Sequence, residues 1–258
     1  MPQGPCRSLR ERSTILARSP ADPSPTKKAI PVEIKVLSSI ATREAYLELV
    51  PQFERGSGHK VATTWAGTTA IMQRMAAGET YDLVIISSSE LDELIRQGKI
   101  VSGSRVDLAK SGIGVAVRAG APRPDISSSE ALKRALLAAK TVGYTSGPSG
   151  VYMAGLIEKM GIAAEVKPRH RTVPSGGTVG TIIASGDAEI GFQQVSELVH
   201  IDGIDYIGPL PADVQCVTVF SCGLQTRAAQ PDAAKALVLY LSTPSAVAVM
   251  KKHGLEAA

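Results

Sequence analysis

Residues 58–87 read GHKVATTWAGTTAIMQRMAAGETYDLVIIS, and the succession of local preferences inside them decides the fold. A β-branched run from Lys60 to Trp65 reads as a strand, an amphipathic stretch from Thr68 to Ala77 as a helix, and DLVIIS, Asp82 to Ser87, as the next strand. Strand, helix and strand in such close order form a βα unit, and repetition of that unit implies an α/β fold with mostly parallel sheets.

Working outward, the unit repeats on both sides. Upstream, IKVL at 34–37 is a strand and a helix is expected from about Thr42 through Phe53, with a kink or early end at Pro51, which costs about 3 kcal/mol inside a helix. Downstream, Ser89 to Gln97 reads as a helix that Gly98 stops. GIGVAVRAG, 112–120, then alternates apolar residues with Gly, as a strand leaving one lobe for another would. A second series follows: a helix over 129–139, the strand TVGYTS at 141–146, a helix over 149–160, a helix over 178–185 and the strand EIGFQ at 189–193. CVTVFSCGL, 216–224, returns the chain before two helices at 232–241 and 244–253. Two crossings imply two lobes and a two-segment hinge. The expected division is 32–115 with 216–258 as lobe I and 116–215 as lobe II, each a mixed, mostly parallel sheet flanked by helices.

Length and composition agree. A chain of 258 residues can hold two modest units, and 44% hydrophobic with 20% charged residues is ordinary globular usage. Residues 1–31, rich in Pro and scattered basic residues, read as a disordered leader without the apolar run of a secretory signal. No stretch reaches the ~18 apolar residues of a membrane span. A net charge of +4, spread along the chain, argues against nucleic acid and suits encounter with small anions. Cys6, Cys216 and Cys222 form no zinc spacing, and the last two are read either as buried free thiols or as a disulfide. His59, His170, His200 and His253 are too scattered for a metal cluster, so no metal and no cofactor is expected.

Four strand-to-helix junctions share one composition: SSIAT at 38–42, AGTT at 66–69, TSGPSG at 145–150 and PSGGT at 174–178. Any one of them reads as an ordinary helix cap, since Ser, Thr and Gly dominate there. Four together, two in each lobe at the carboxyl ends of strands, read as one anion-binding cleft lined by unpaired N–H groups and the positive ends of helices. KPRHR at 167–171, just before the fourth junction, is read as a solvated edge able to steer an anion. No GxSxG elbow, P-loop, HExxH or GxGxxG spacing occurs.

The segments KVLSSIAT, the stretch 58–87, GPSGVYMAGLIEKMGI, SGDAEIGFQQ and LVLYLSTPSAVAVMKKHGL resemble, in order and spacing, the molybdate-type periplasmic substrate-binding proteins of the type II binding-protein fold, over residues 34–254. The resemblance implies a monomeric solute-binding protein that closes its lobes on a small oxyanion or carboxylate and delivers it to an ABC-type transporter permease, without inserting in the membrane. It implies oxyanion contacts at Ala41, beside Ser38, Ser39 and Thr42, at Thr68 with Thr69, at Ser149 with Ser146, at Gly176 with Gly177, and at Gln194. Ala41 stands where the family has a serine and Gln194 where it has a tyrosine. Losing one hydrogen bond to a charged group, about 1.5 to 3 kcal/mol, weakens oxyanion binding roughly tenfold to a hundredfold. Arg43, Gln193 and Gln194 offer fork-like donors that suit a carboxylate instead.

The first junction, SSIATR, is also similar to that of aconitate isomerases, enzymes on the same scaffold. That similarity implies a cofactor-free proton shift between trans- and cis-aconitate, for which Tyr144, Tyr152 and His170 are the candidate acid or base residues. The family resemblance implies a periplasmic location, whereas the N-terminus as written implies a cytoplasmic one.

Overall fold

The computed structural model describes residues 30–173 and 178–258, so all but the last two residues of the expected leader lie outside it. The first series runs β1 (Glu33–Ser39), a 3-10 turn (Ile40–Thr42), α1 (Arg43–Ser57), β2 (Lys60–Ala66), α2 (Thr68–Ala76), β3 (Leu83–Ser87), α3 (Ser88–Arg96) and the long β4 (Val106–Arg118). The second runs α4 (Ser129–Ala138), β5 (Val142–Tyr144), α5 (Pro148–Lys159), α6 (Ala163–Val166), β6 (His170–Arg171), α7 (Val179–Ala184), β7 (Ile190–Gln194), α8 (Val195–Leu198) and β8 (Ile204–Pro209). The chain returns through β9 (Val217–Leu224), α9 (Pro231–Leu241), α10 (Pro244–Lys252) and β10 (Glu256–Ala257).

Strand order is β2-β1-β3-β9-β4-β7-β5-β6, with β8 and β10 also alongside β4. The βα strands pair in parallel, β1 with β2 and β3, and β5 with β6 and β7, while β4 and β9 run against their neighbours. The sheet is therefore mixed, with parallel strands toward its two ends and the crossing strands between them.

Side-chain alternation places a core on each face of each half. In β3, Leu83 and Ile85 join Ile34, Val36 and Leu49 beneath α1, α9 and α10, whereas Val84 and Ile86 join Leu37, Ile71 and Leu94 beneath α2 and α3. This two-sided burial explains why the run is apolar throughout instead of alternating, and each such side chain contributes about 1.5 to 3 kcal/mol. In the other half, Val115, Val142 and Phe192 pack on Leu132, Met153 and Ile157 of α4 and α5, and Ala116 packs on Val179 and Ile183 of α7.

β4 serves both halves: Val106–Gly112 pairs with β9, and Ile113–Val117 with β7. It begins six residues earlier than the expected crossing strand, because Gly112 marks the passage between halves and not the strand's start. Beside it the chain returns through Gln215, whose amide accepts from Ile113 N–H at 2.8 Å and donates to Ile113 C=O at 3.0 Å. Gly112 permits this clasp, since a Cβ there would meet the Gln215 amide nitrogen at 3.1 Å.

Two local readings are revised. α1 continues through Pro51 to Ser57, because Pro51 lies on the exposed face where water can take the carbonyl it leaves unbonded. β8, half-buried along its length, carries no strong alternation and was not anticipated. The KPRHR run lies at an edge, as expected: Lys167, Pro168 and Arg171 are exposed, His170 and Arg171 form edge strand β6, and Arg169 is tied to the Leu137, Ala139 and Glu165 carbonyls at the end of α4 and in α6. Cys216 and Cys222 are both free, and burial pushes the Cys222 thiol up to about 12. Among the described residues no three metal-ligating side chains converge, although His253 links His200 and Glu48 through its two ring nitrogens. Among the described residues no single helix is long and apolar enough to cross a membrane.

Candidate functional site

The strands of both halves deliver their helices to one cavity of about 410 Å³. From the first half its wall is Ser39, Ile40 and Ala41 at the end of β1, and Gly67, Thr68, Thr69 and Arg74 at the start of α2. From the second half come Thr145, Ser146, Gly147, Pro148 and Ser149 ahead of and within α5, Gln193, Gln194 and Glu197, and the Thr172–Val173 edge. A wider space of about 590 Å³ adjoins it between α2 and α5, also touching Thr68, Thr69, Ser146, Gly147 and Pro148.

The two longer helices here begin without side-chain caps. Gly67 and Gly147 are their N-caps, and neither can supply an acceptor, so the first-turn N–H groups of α2 and α5 are left for solvent or a ligand. Pro148 at the first position of α5 removes a donor that would be unpaired in any case. Gly150 is required by close approach: a Cβ there would lie 1.6 Å from the Thr145 carbonyl oxygen. Ser149 is buried beneath this tight turn.

The first junction divides its residues. Ser39 accepts from Ala41 N–H at 3.4 Å and lines the cavity with Ala41, whereas Ser38 and Thr42 are turned inward, their hydroxyls 3.0 Å apart. Thr42 also donates to the Ser39 carbonyl at 3.1 Å. Both brace the turn instead of facing the space.

Arg43 corrects the sequence reading more sharply. The 3-10 turn Ile40–Thr42 sets it on the outer side of α1, where its side chain is about half exposed (53%) and lies 4.0 Å from Glu44. Among the described residues the cation that lines the cavity is Arg74, paired with Glu79 at 3.0 Å. Tyr144, Tyr152 and His170 do not line the cavity either. Tyr144 is buried in the core and stacks on His170 with ring centroids 3.8 Å apart, His170 Nε2 meets the Tyr144 carbonyl oxygen at 3.0 Å, and Tyr152 donates to the Val214 carbonyl at 3.0 Å. Gly176 and Gly177 lie outside the described residues.

At the end of β7 three side chains work as a set. Gln193 accepts the Val179 N–H at 2.7 Å, securing the start of α7. Gln194 donates to Thr218 Oγ1 at 2.9 Å, and its amide oxygen is buried without a partner. Because the Thr218 hydroxyl can donate as well as accept, the amide can turn over and present its NH2 group where the oxygen now sits. Glu197, three residues past the N-cap Gln194, stands at the position of the acidic member of a capping box, with the Gln194 N–H and the Gln193 amide as its polar neighbours. Both neighbours favour the carboxylate, yet desolvation of this partly buried side chain in the cavity wall outweighs them and pushes the group up to about 7. Sequence reading missed Glu197 because α8 is only four residues long; the spacing Gln194 to Glu197 was the one available signal.

Comparison with known proteins follows the same lines. The family of bacterial extracellular solute-binding proteins matches residues 34–256. An aconitate isomerase from Pseudomonas sp. is 37% identical over 240 residues, 90% of this chain and 91% of that protein. Molybdate-binding protein ModA of Azotobacter vinelandii is 26% identical over 213 residues, 80% of this chain and 83% of its own. The solved periplasmic molybdate-binding protein of Azotobacter vinelandii superposes with a TM-score of 0.72 at 19% identity, covering 87% of this chain and 99% of that one. The two-lobed α/β binding-protein fold is thus shared.

Proposed function

Since the chain belongs to the bacterial extracellular solute-binding protein family, we propose that it captures a small anion, a carboxylate before a tetrahedral oxyanion, in the cleft between its lobes. The observation that carries this reading is the meeting of two uncapped helix starts, α2 from one half and α5 from the other, on one cavity. Its size supports a carboxylate: about 410 Å³ falls in the range of roughly 300–1,000 Å³ typical of organic-ligand pockets. The amide of Gln194 and the hydroxyls of Ser39, Thr68 and Ser149 are neutral donors, which bind an anion without demanding a fixed counter-charge.

In this proposal lobe I comprises 32–115 and 216–258, lobe II 116–215, and the pair of crossings at β4 and Gln215–Cys216 is the hinge. Delivery to an ABC-type permease and export from the cytoplasm follow from family membership and are part of the proposal. Isothermal calorimetry against molybdate, tungstate, sulfate, citrate and the two aconitates tests it. Binding of the carboxylates is expected, and no heat with any of the six at millimolar concentration contradicts it.

A second reading, isomerisation of aconitate, is favoured by the 37% identity to the Pseudomonas enzyme and by a carboxyl near neutrality at the cavity wall. Proton NMR of trans-aconitate in deuterated buffer decides it. Turnover gives the cis isomer, and an unchanged spectrum removes this reading while leaving capture intact.

A further inference from the structure

Among the described residues Glu197 is the one carboxyl lining the cavity, and it shares that wall with Gln194 and with the starts of α2 and α5. A cleft shaped for anions and walled by an ionised carboxylate is a contradiction, since like charges in a partly desolvated space repel. The contradiction disappears if the carboxyl is protonated when the cleft is filled. We propose that Glu197 is the specificity-determining residue of the cleft, holding a proton and donating its hydrogen bond to a bound carboxylate, so that in alkaline solution capture of each ligand takes up one proton. This rests on the carboxylate-capture reading and adds to it a residue, a ligand preference and a proton.

The surroundings of Glu197 leave the proton to the carboxyl itself. β7 brings the Gln193 amide and the Gln194 N–H. The Ile40–Thr42 turn, β4 and α7 also pack on α8, and no charged side chain acts on Glu197 from any of them. Residues 174–177, Pro-Ser-Gly-Gly, carry no ionisable side chain. Arg74, across the cavity on α2, is engaged with Glu79, and His200, past the far end of α8, is turned to His253. With no cation beside it, burial alone governs the carboxyl, and an approaching anion can only raise its proton affinity further.

The carboxyl also offers a means of discrimination. As a donor it complements a fully ionised carboxylate; as an acceptor it would complement only a ligand bringing its own proton. Replacement by glutamine keeps shape and a donor while removing the titration.

Calorimetry of trans-aconitate and citrate with the wild-type protein and E197Q, at pH 6, 7, 8 and 9, tests the proposal. Wild-type affinity should fall about tenfold per pH unit above 7, and the observed heat should change between buffers of different ionisation enthalpy by close to one proton per ligand at pH 8 and 9, falling toward none at pH 6. E197Q should bind with an affinity that stays within about threefold from pH 6 to 9 and shows no buffer dependence. Equal pH dependence in the two proteins, or release of a proton, overturns this inference and leaves carboxylate capture standing. Absence of binding by both proteins at every pH overturns the capture reading and this inference with it.

Discussion

Residue by residue the cleft is polar yet nearly free of net charge. Arg74 is balanced by Glu79, the hydroxyls and amides are neutral, and Glu197 sits near its midpoint at neutral pH. Glu197 therefore carries a consequence for stability that needs no ligand. Its folded value of about 7 lies above the ordinary 4.5, so the native state holds a proton that the unfolded chain gives up between those two values. The contribution is fully present below about 4.5, is lost progressively as pH rises to about 7, and stays lost above. Thermal melts of wild type and E197Q at pH 5 and pH 8 check this: the variant should gain on the wild type at pH 8 relative to pH 5, and parallel melting temperatures would contradict it. The same scale shows what residue identity hides. Arg43 and Gln194 both looked like fork-like donors, but three residues of 3-10 turn place one in solvent, while the end of a buried strand places the other in the wall.

At the scale of elements, the strand-to-helix junction is the repeated device. Glycine N-caps on α2 and α5 forgo the side-chain acceptor that Ser128 supplies to α4, where Ser128 Oγ accepts from Ala131 N–H at 3.2 Å. Helices such as α3 and α9 also begin without a side-chain cap, so what sets α2 and α5 apart is that their uncapped starts meet on one cavity. Gly150→Ala probes the tightest junction: its Cβ would fall 1.6 Å from the Thr145 oxygen, so the turn has to move. Loss of about 1–3 kcal/mol in urea unfolding, with weakened anion binding, is expected, and wild-type values in both would contradict the packing described. Much of this level was legible beforehand. The run 58–87 gave strand, helix and strand within a residue or so, because its periods change abruptly at Gly67 and Gly78. β8 and α8 were not legible, since one is half-buried on both faces and the other is a single turn formed where β7 ends. The second gap is why Glu197 was not recognised, whereas Gln194, on the same turn, was named through the family resemblance.

For the whole molecule the decisive feature is β4, a single strand whose two parts pair in different halves of the sheet, clasped at its midpoint by Gln215. Gln215→Ala strips the hydrogen bond from the buried Ile113 N–H, which costs about 1–3 kcal/mol if nothing replaces it. The expected outcome is a lower urea midpoint together with faster amide exchange at Ile113 and Cys216, measured by hydrogen exchange. Unchanged exchange at both would show that the clasp does not hold the crossings. The meeting of the junctions at 38–42, 66–69 and 145–150 on one cavity was legible from composition, but which hydroxyls face it was not. Ser38 and Thr42 satisfy each other, Ser39 and Ser149 do not, and only three-dimensional packing separates them.

The central claim is that donors from both lobes grip one ligand. Calorimetric affinity of the tightest-bound panel anion for wild type, Thr68→Val and Ser149→Ala tests it most directly, since one hydroxyl is taken from each side of the cleft. Each substitution is expected to weaken binding, by roughly tenfold to a hundredfold. Full retention of affinity in either variant would place the ligand on one lobe alone and contradict the account.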